Sequence, residues 1–276
     1  MRFSLGSELI YTAIRPTTVI LNIEAQNLPG QRVVRETFEI APDISHEAKE
    51  IAETANRYRR FILQPGRYTI RYDAEVETDP VVRRPERVEE VPVSELPLAV
   101  MNALFPSRYC ESDRLARFAW RRFGDVPAGH ARVDAICDWI HDNVDYLEGS
   151  SDGSTSAYDT FATRSGVCRD FAHLGVTFCR ALGIPARFVA AYGWKLEPQD
   201  YHAVFEAYLS GRWYVFDPTR LSPPEGLIRI GIGRDAADTA FCTFFGQMQS
   251  EPKRVWVNEI TGADDAPQQA VSVSAT

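Results

Sequence analysis

Three side chains that together can open an amide bond lie within fifty residues of one another: Cys168, His202 and Asp217. A thiolate attacks a carbonyl, an imidazole carries the proton, and a carboxylate orients and charges the imidazole. Cys168 falls in "SGVCRDFAHLGVTFC" (165–179). There Val167, Phe171, Leu174, Phe178 and Leu182 recur at helical spacing, and Gly183 and Pro185 stop the pattern. The cysteine is thus expected in the first turn of a helix. Unsatisfied N–H groups and the positive end of the dipole favour thiolate there, and a backbone N–H can stabilise an oxyanion. A packed thiol is the usual state of a lone cysteine. Cys137 and Cys179, inside helical apolar patterns, fit that state, whereas Cys168 is placed differently.

A nucleophile needs a base. His202 lies in "YHAVFEAYL" and Asp217 in the following "RWYVFDPT". A hairpin turning on Ser210-Gly211 sets Leu209 opposite Arg212, Val204 opposite Asp217 and His202 opposite Thr219. His202 and Asp217 then become diagonal neighbours on one sheet face. A slip of one residue would send one of them to the other face. Of the other histidines, His46 and His130 read as solvated residues at helix starts, and His141 lies on the polar side of its helix. His173 follows Cys168 by five residues, about 140° around the helix, which makes it a poor partner for the thiol and a local hydrogen-bonding or packing residue. A metal site built from Cys168, His173 and His202 is disfavoured for the same reason, and no Cys/His spacing matches a zinc pattern. No cofactor and no metal are expected.

The elements that must hold these groups divide the chain in two. Residues 1–80 contain "TTVILNIEA", "RVVRETFEI" and "GRYTIRYDAEVE", β-branched and aromatic runs separated by the turn signals "NLPGQ" and "QPGR"; they predict a small β-sandwich or open sheet. One polar stretch, "SHEAKEIAET" (45–54), reads as helical. Residues 81–98, charged and with three prolines, read as an extended linker, and "RRPER" (83–87) as a solvated part of it. Residues 99–260 give helices first, over 112–124, 130–144 and the Cys168 segment, then three strands in a meander: an α+β domain. Residues 261–276 are small and polar and are expected to fray.

Composition sets the outer bounds. The chain has 276 residues, enough for two ordinary domains, and is 45% hydrophobic and 25% charged, as soluble globular proteins are. A net charge of −8 without a dense basic cluster argues against nucleic acid as a partner. No apolar run is long enough to cross a bilayer, so no membrane partner is expected. The five cysteines are scattered and odd in number, without a disulfide framework or a C-x-x-C pair. A reducing cytoplasm is the expected location.

The order Cys, His, Asp on helix, strand and strand, with the words "GVCRDFAHL", "CRALGIPAR", "HAVFEAYL" and "WYVFDPT", resembles the transglutaminase-like superfamily, and within it the bacterial transglutaminase-like cysteine proteases. The resemblance covers about residues 130–220. It implies a papain-like α+β catalytic core with helices packed on an antiparallel sheet, often preceded by an N-terminal β domain, and it carries the triad onto Cys168, His202 and Asp217. Many relatives have Trp two residues after the catalytic His, where this chain has Val204, so the substrate wall is expected to differ. The resemblance also implies a second oxyanion donor upstream of the cysteine, with Tyr158 and Tyr146 as candidates. Trp194 is a candidate ligand contact, and Asp170 and His173 take structural roles.

The implied reaction passes through a thioester acyl-enzyme. Water resolving it gives a peptidase or amidase acting on a peptide or protein, the favoured reading because water is the default acceptor. A lysine amine gives a cross-linking glutamine γ-glutamyltransferase. Animal transglutaminases of this kind depend on calcium, and the absence of a dense carboxylate cluster disfavours that subtype. A non-catalytic peptide- or protein-binding module is the rival from another class; it has no need of all three groups.

Overall fold

The structure is a computed structural model that describes residues 1–82, 88–260 and 273–275. The N-terminal part is all-β. Strand β1 (Arg2–Ala13) alternates buried and exposed positions over most of its length, the period-two pattern of a half-buried strand. It pairs antiparallel along its whole length with β6 (Gly66–Thr78), and β6 pairs in turn with β3 (Gln31–Ala41). A second sheet contains β2 (Thr17–Leu21), β4 (Glu47–Glu50) and β5 (Arg57–Leu63). Phe3, Leu5, Val19, Leu21, Phe61, Leu63, Tyr72 and Val76 from the two sheets share one core.

Two expectations change here. The stretch read as helical, 45–54, instead gives the short exposed strand β4 and a turn. Its alternating charges fit an edge strand: Glu47 pairs with Arg60, and Lys49 with Tyr58. The boundary drawn at 99–260 is also crossed. Strands β14 (Cys242–Phe245), β15 (Met248–Ser250) and β16 (Arg254–Glu259) return to the N-terminal sheets, β14 beside β2 and the other two beside β1. Sequence neighbours predict this poorly, because such pairing joins residues more than 200 positions apart.

The expected linker is partly embedded. Val88 and Leu96 are buried, and Glu90 accepts hydrogen bonds from the Arg132 guanidinium and the Gly129 N–H. Strand β7 (Val81–Val82) precedes the basic stretch 83–87, which lies outside the described residues, as do 261–272 and Thr276 of the expected tail.

The second half is α+β, as its pattern predicts. Helices α1 (Ser112–Phe123), α2 (His130–Asn143) and α3 (Ala157–Thr163) pack against the central α4 (Cys168–Ala181). A short β8 (Asp145–Tyr146) and β9 (Ser165–Gly166) form a parallel bridge. Strands β10 (Ala186–Gly193), β11 (Tyr201–Leu209), β12 (Arg212–Phe216) and β13 (Leu227–Gly233) make an antiparallel sheet in the order β13-β10-β11-β12, extended by β17 (Val273–Ala275) and β7. Strand β11 is buried on both faces. Phe205 on that strand meets α4 at Gly175, where an added Cβ would stand 2.3 Å from the Phe205 ring. Gly175→Ala is therefore expected to destabilise the protein by about 1–3 kcal/mol through overpacking, read as a lowered urea midpoint with unchanged m.

The two halves share a core rather than a flexible joint. Ala172, Ala190, Tyr192, Tyr201, Ala203, Ile228 and Ile230 belong to the same apolar cluster as Phe3 and Leu5. The Tyr192 hydroxyl donates to the Ile23 carbonyl at 2.8 Å. Within the second sheet, Glu206 is fully buried between Arg187 and Arg229, at 2.6 and 2.8 Å. Burial opposes its charge, but the two guanidiniums prevail and hold its pKa below the ordinary value.

Candidate active site

The helix that carries Cys168 begins where it does because of its own third residue beyond the cap. The Asp170 carboxylate, fully buried, accepts the Val167 N–H at 2.9 Å, satisfying a donor that the helix leaves unpaired. The same carboxylate takes the Ser151 hydroxyl and the Arg169 guanidinium. Gly166 makes room for it, since a Cβ there would stand 2.7 Å from Asp170 Cβ. Asp170 thus has the structural role expected of it, and Cys168 stands at the first position of α4, half-buried.

His202, the candidate base, arrives on the hairpin. Ser210 and Gly211 both have positive φ, 47° and 77°, as a two-residue hairpin turn of the favoured hand requires. Leu209 pairs with Arg212, and the register runs back to Phe205 opposite Phe216. That is the register expected from sequence, and it sets Val204 across from Asp217. His202 Nε2 and Asp217 Oδ2 are 2.8 Å apart, with both side chains nearly inaccessible to water. With Nε2 so engaged, the Cys168 thiol is close enough to the ring to act on its charge. Burial disfavours the imidazolium, but Asp217 and Cys168 outweigh it and raise the His202 pKa to about 10. Asp217 responds in the opposite sense. Burial pushes its pKa up, and the bonds from His202 and Thr219 bring it below the ordinary value.

The bridge between β8 and β9 pairs Tyr146 with Gly166, two residues before the cysteine. The Tyr146 hydroxyl lies beside Cys168; partial burial and the neighbouring thiol raise its pKa. Of the two tyrosines considered, the structure therefore brings Tyr146 to Cys168. Tyr158 is instead held under the Arg114 guanidinium, 3.5 Å from its ring, with its N–H on Glu111. Trp194 packs edge-on against Phe3 at 5.7 Å between ring centroids, with Lys195 over its face.

The remaining histidines serve the fold. His173 is buried, accepts the Ala236 N–H at 3.1 Å and stacks on Tyr109 at 5.1 Å. Burial, then Arg169 and Arg180, hold it neutral. His130 does begin a helix but is not solvated. It is 8% exposed, is bonded to Asp134 and packs on Phe216. His46 precedes a strand rather than a helix and contacts the Arg59 guanidinium. Cys137 and Cys179 are buried thiols, as expected, and desolvation pushes their pKa values up.

One group was not anticipated. Thr219 donates to Asp217 Oδ1 twice, from its hydroxyl at 2.6 Å and its backbone N–H at 2.9 Å. The signal was present in "DPT": an Asp bonding the N–H two residues on is a common turn device.

Comparisons with known proteins bear on the family. Residues 121–218 match the model of the transglutaminase-like superfamily, and residues 1–99 match that of the bacterial transglutaminase N-terminal domain. A solved structure from Cytophaga hutchinsonii, described provisionally as a cysteine protease, is 39% identical. The match covers 100% of this chain and 97% of that one at a TM-score of 0.94. This chain belongs to the transglutaminase-like superfamily. An uncharacterised protein of Mycobacterium leprae is 31% identical over 147 residues, 50% of this chain and 52% of that protein. The match therefore spans about half the length of that curated relative. The periplasmic domain of TgpA from Pseudomonas aeruginosa is 21% identical over 78% of this chain and 76% of that one, with a TM-score of 0.42.

Proposed function

We propose that this transglutaminase-like enzyme is a cysteine peptidase or amidase that cleaves peptide or side-chain amide bonds through a thioester at Cys168. The observation that carries the reading is His202 held between the thiol and Asp217, 2.8 Å from the carboxylate. The Cys168 sulfur adds to the amide carbonyl carbon, and the C=O electron pair moves onto oxygen. The Cys168 N–H and the hydroxyl of Tyr146, which lies beside Cys168, are the donors for that oxyanion. As the tetrahedral adduct collapses, the C–N bond breaks and His202 gives its proton to the leaving amine. Water, deprotonated by the same imidazole, then attacks the thioester, releasing the acid and restoring the thiol.

The test is alkylation and turnover together. Iodoacetamide is expected to label Cys168 well before the other four thiols. Peptide or ammonia release should then cease, and dansylcadaverine should not be taken up into a glutamine-bearing protein. Equal labelling of all five cysteines would favour a binding module, whereas amine uptake would favour the cross-linking transferase. Tyr146→Phe is expected to lower kcat on the order of 10²-fold with KM little changed, since the donor acts chiefly on the developing oxyanion; steady-state kinetics on the same substrate checks it.

A further inference from the structure

Asp217 is a buried carboxylate on an sp³–sp² torsion, which is intrinsically broad and roughly two-fold. Something must keep one oxygen on His202, because loss of aim of even an ångström at such a site is costly. The structure provides a clamp on the other oxygen. Oδ1 accepts the Thr219 hydroxyl at 2.6 Å and the Thr219 N–H at 2.9 Å, while Oδ2 takes His202 Nε2 at 2.8 Å. The hydroxyl's direction is itself set, because its oxygen accepts the Leu221 N–H at 3.2 Å and so turns its proton towards Asp217. The same oxygen lies 3.4 Å from His202 Nε2. Thr219 is buried, so water does not compete for these bonds.

We propose that the Thr219 hydroxyl is a positioning group that fixes the Asp217 carboxylate against His202 and so keeps the imidazole aimed for Cys168. This rests on the triad reading above. The ionisable groups acting on His202 are Asp217 and Cys168; Tyr146 lies beside the cysteine, and Asp217 in turn helps keep the buried Cys137 thiol neutral. None of these other groups supplies a second hydroxyl donor to Oδ1, so removing this one leaves the Thr219 N–H alone to hold that oxygen.

The test is the rate of Cys168 alkylation by iodoacetamide from pH 5 to 9 on the full chain, with circular dichroism and melting to confirm folding. Thr219→Val and Thr219→Ala are expected to slow labelling at pH 6 by about tenfold and to narrow the reactive pH range. Thr219→Ser, which keeps the hydroxyl, should stay within about twofold of the native rate. A merely structural role would lower the melting temperature of all three and leave the pH profile in place. If either folded hydroxyl-free variant gives the native profile, the proposal is overturned. His202→Ala and Asp217→Ala serve as controls: if they too label like the native protein, the triad reading itself falls, and the role of Thr219 with it.

Discussion

His202→Ala is expected to reduce turnover on the order of 10⁴-fold, with the fold retained. In the proposed mechanism, removing the imidazole takes away both the base beside the thiol and the acid that protonates the leaving amine, and no other described histidine replaces it. His173, the next histidine along the chain, is locked on Ala236 and Tyr109. The pH behaviour has a definite sign. The folded-state pKa of His202 stands above its ordinary value of 6.5, at about 10. Its stabilising contribution is therefore complete below 6.5 and is lost as pH rises through about 10. Asp217 is shifted the other way, so its contribution is complete above its ordinary 3.8 and is lost as pH falls through its lower folded value. Urea melts of native and His202→Ala protein should differ most between pH 4 and 6.5 and converge towards pH 10. A difference that instead grew above pH 8 would contradict the charged pair.

The second large effect concerns stability. Glu206→Ala should destabilise the protein by about 3–5 kcal/mol, because it leaves two guanidiniums facing an apolar site with no anion between them. Replacing Glu206, Arg187 and Arg229 together with apolar side chains of similar volume should recover most of that loss, since desolvating the ions offsets much of their attraction. Chemical denaturation of the single and triple variants checks both; a Glu206→Ala loss under 1 kcal/mol would mean that the buried charges are far better solvated than their burial implies.

The parts of the site that depend on short-range pattern were legible in the chain. Cys168 is marked by a helical stripe that starts at Gly166-Val167 and ends at Gly183. The His202–Asp217 pairing follows from two strands and a Ser-Gly turn, because register in a hairpin is fixed locally. What was not legible depends on long-range pairing. Tyr146 could not be separated from Tyr158 by spacing; a parallel bridge to Ser165–Gly166, closed across nineteen intervening positions, makes the choice. The solvated reading of His130 failed for a similar reason, since its cover comes from Phe216, on a strand far along the chain. The helical reading of 45–54 was a propensity argument, and an edge strand satisfied by Arg60 and Tyr58 overrode it.

The return of β14, β15 and β16 to the N-terminal sheets has a consequence for biogenesis. A nascent chain leaving the ribosome presents β1 with one long flank unzipped, and that flank stays open until some 240 further residues have been translated. The first domain in order of synthesis is thus among the last to be sealed, and an exposed strand border in the interim is a template for mispairing. The alternating charges of Arg2, Glu8 and Arg71 near that border would discourage such encounters while the chain waits for its final strands.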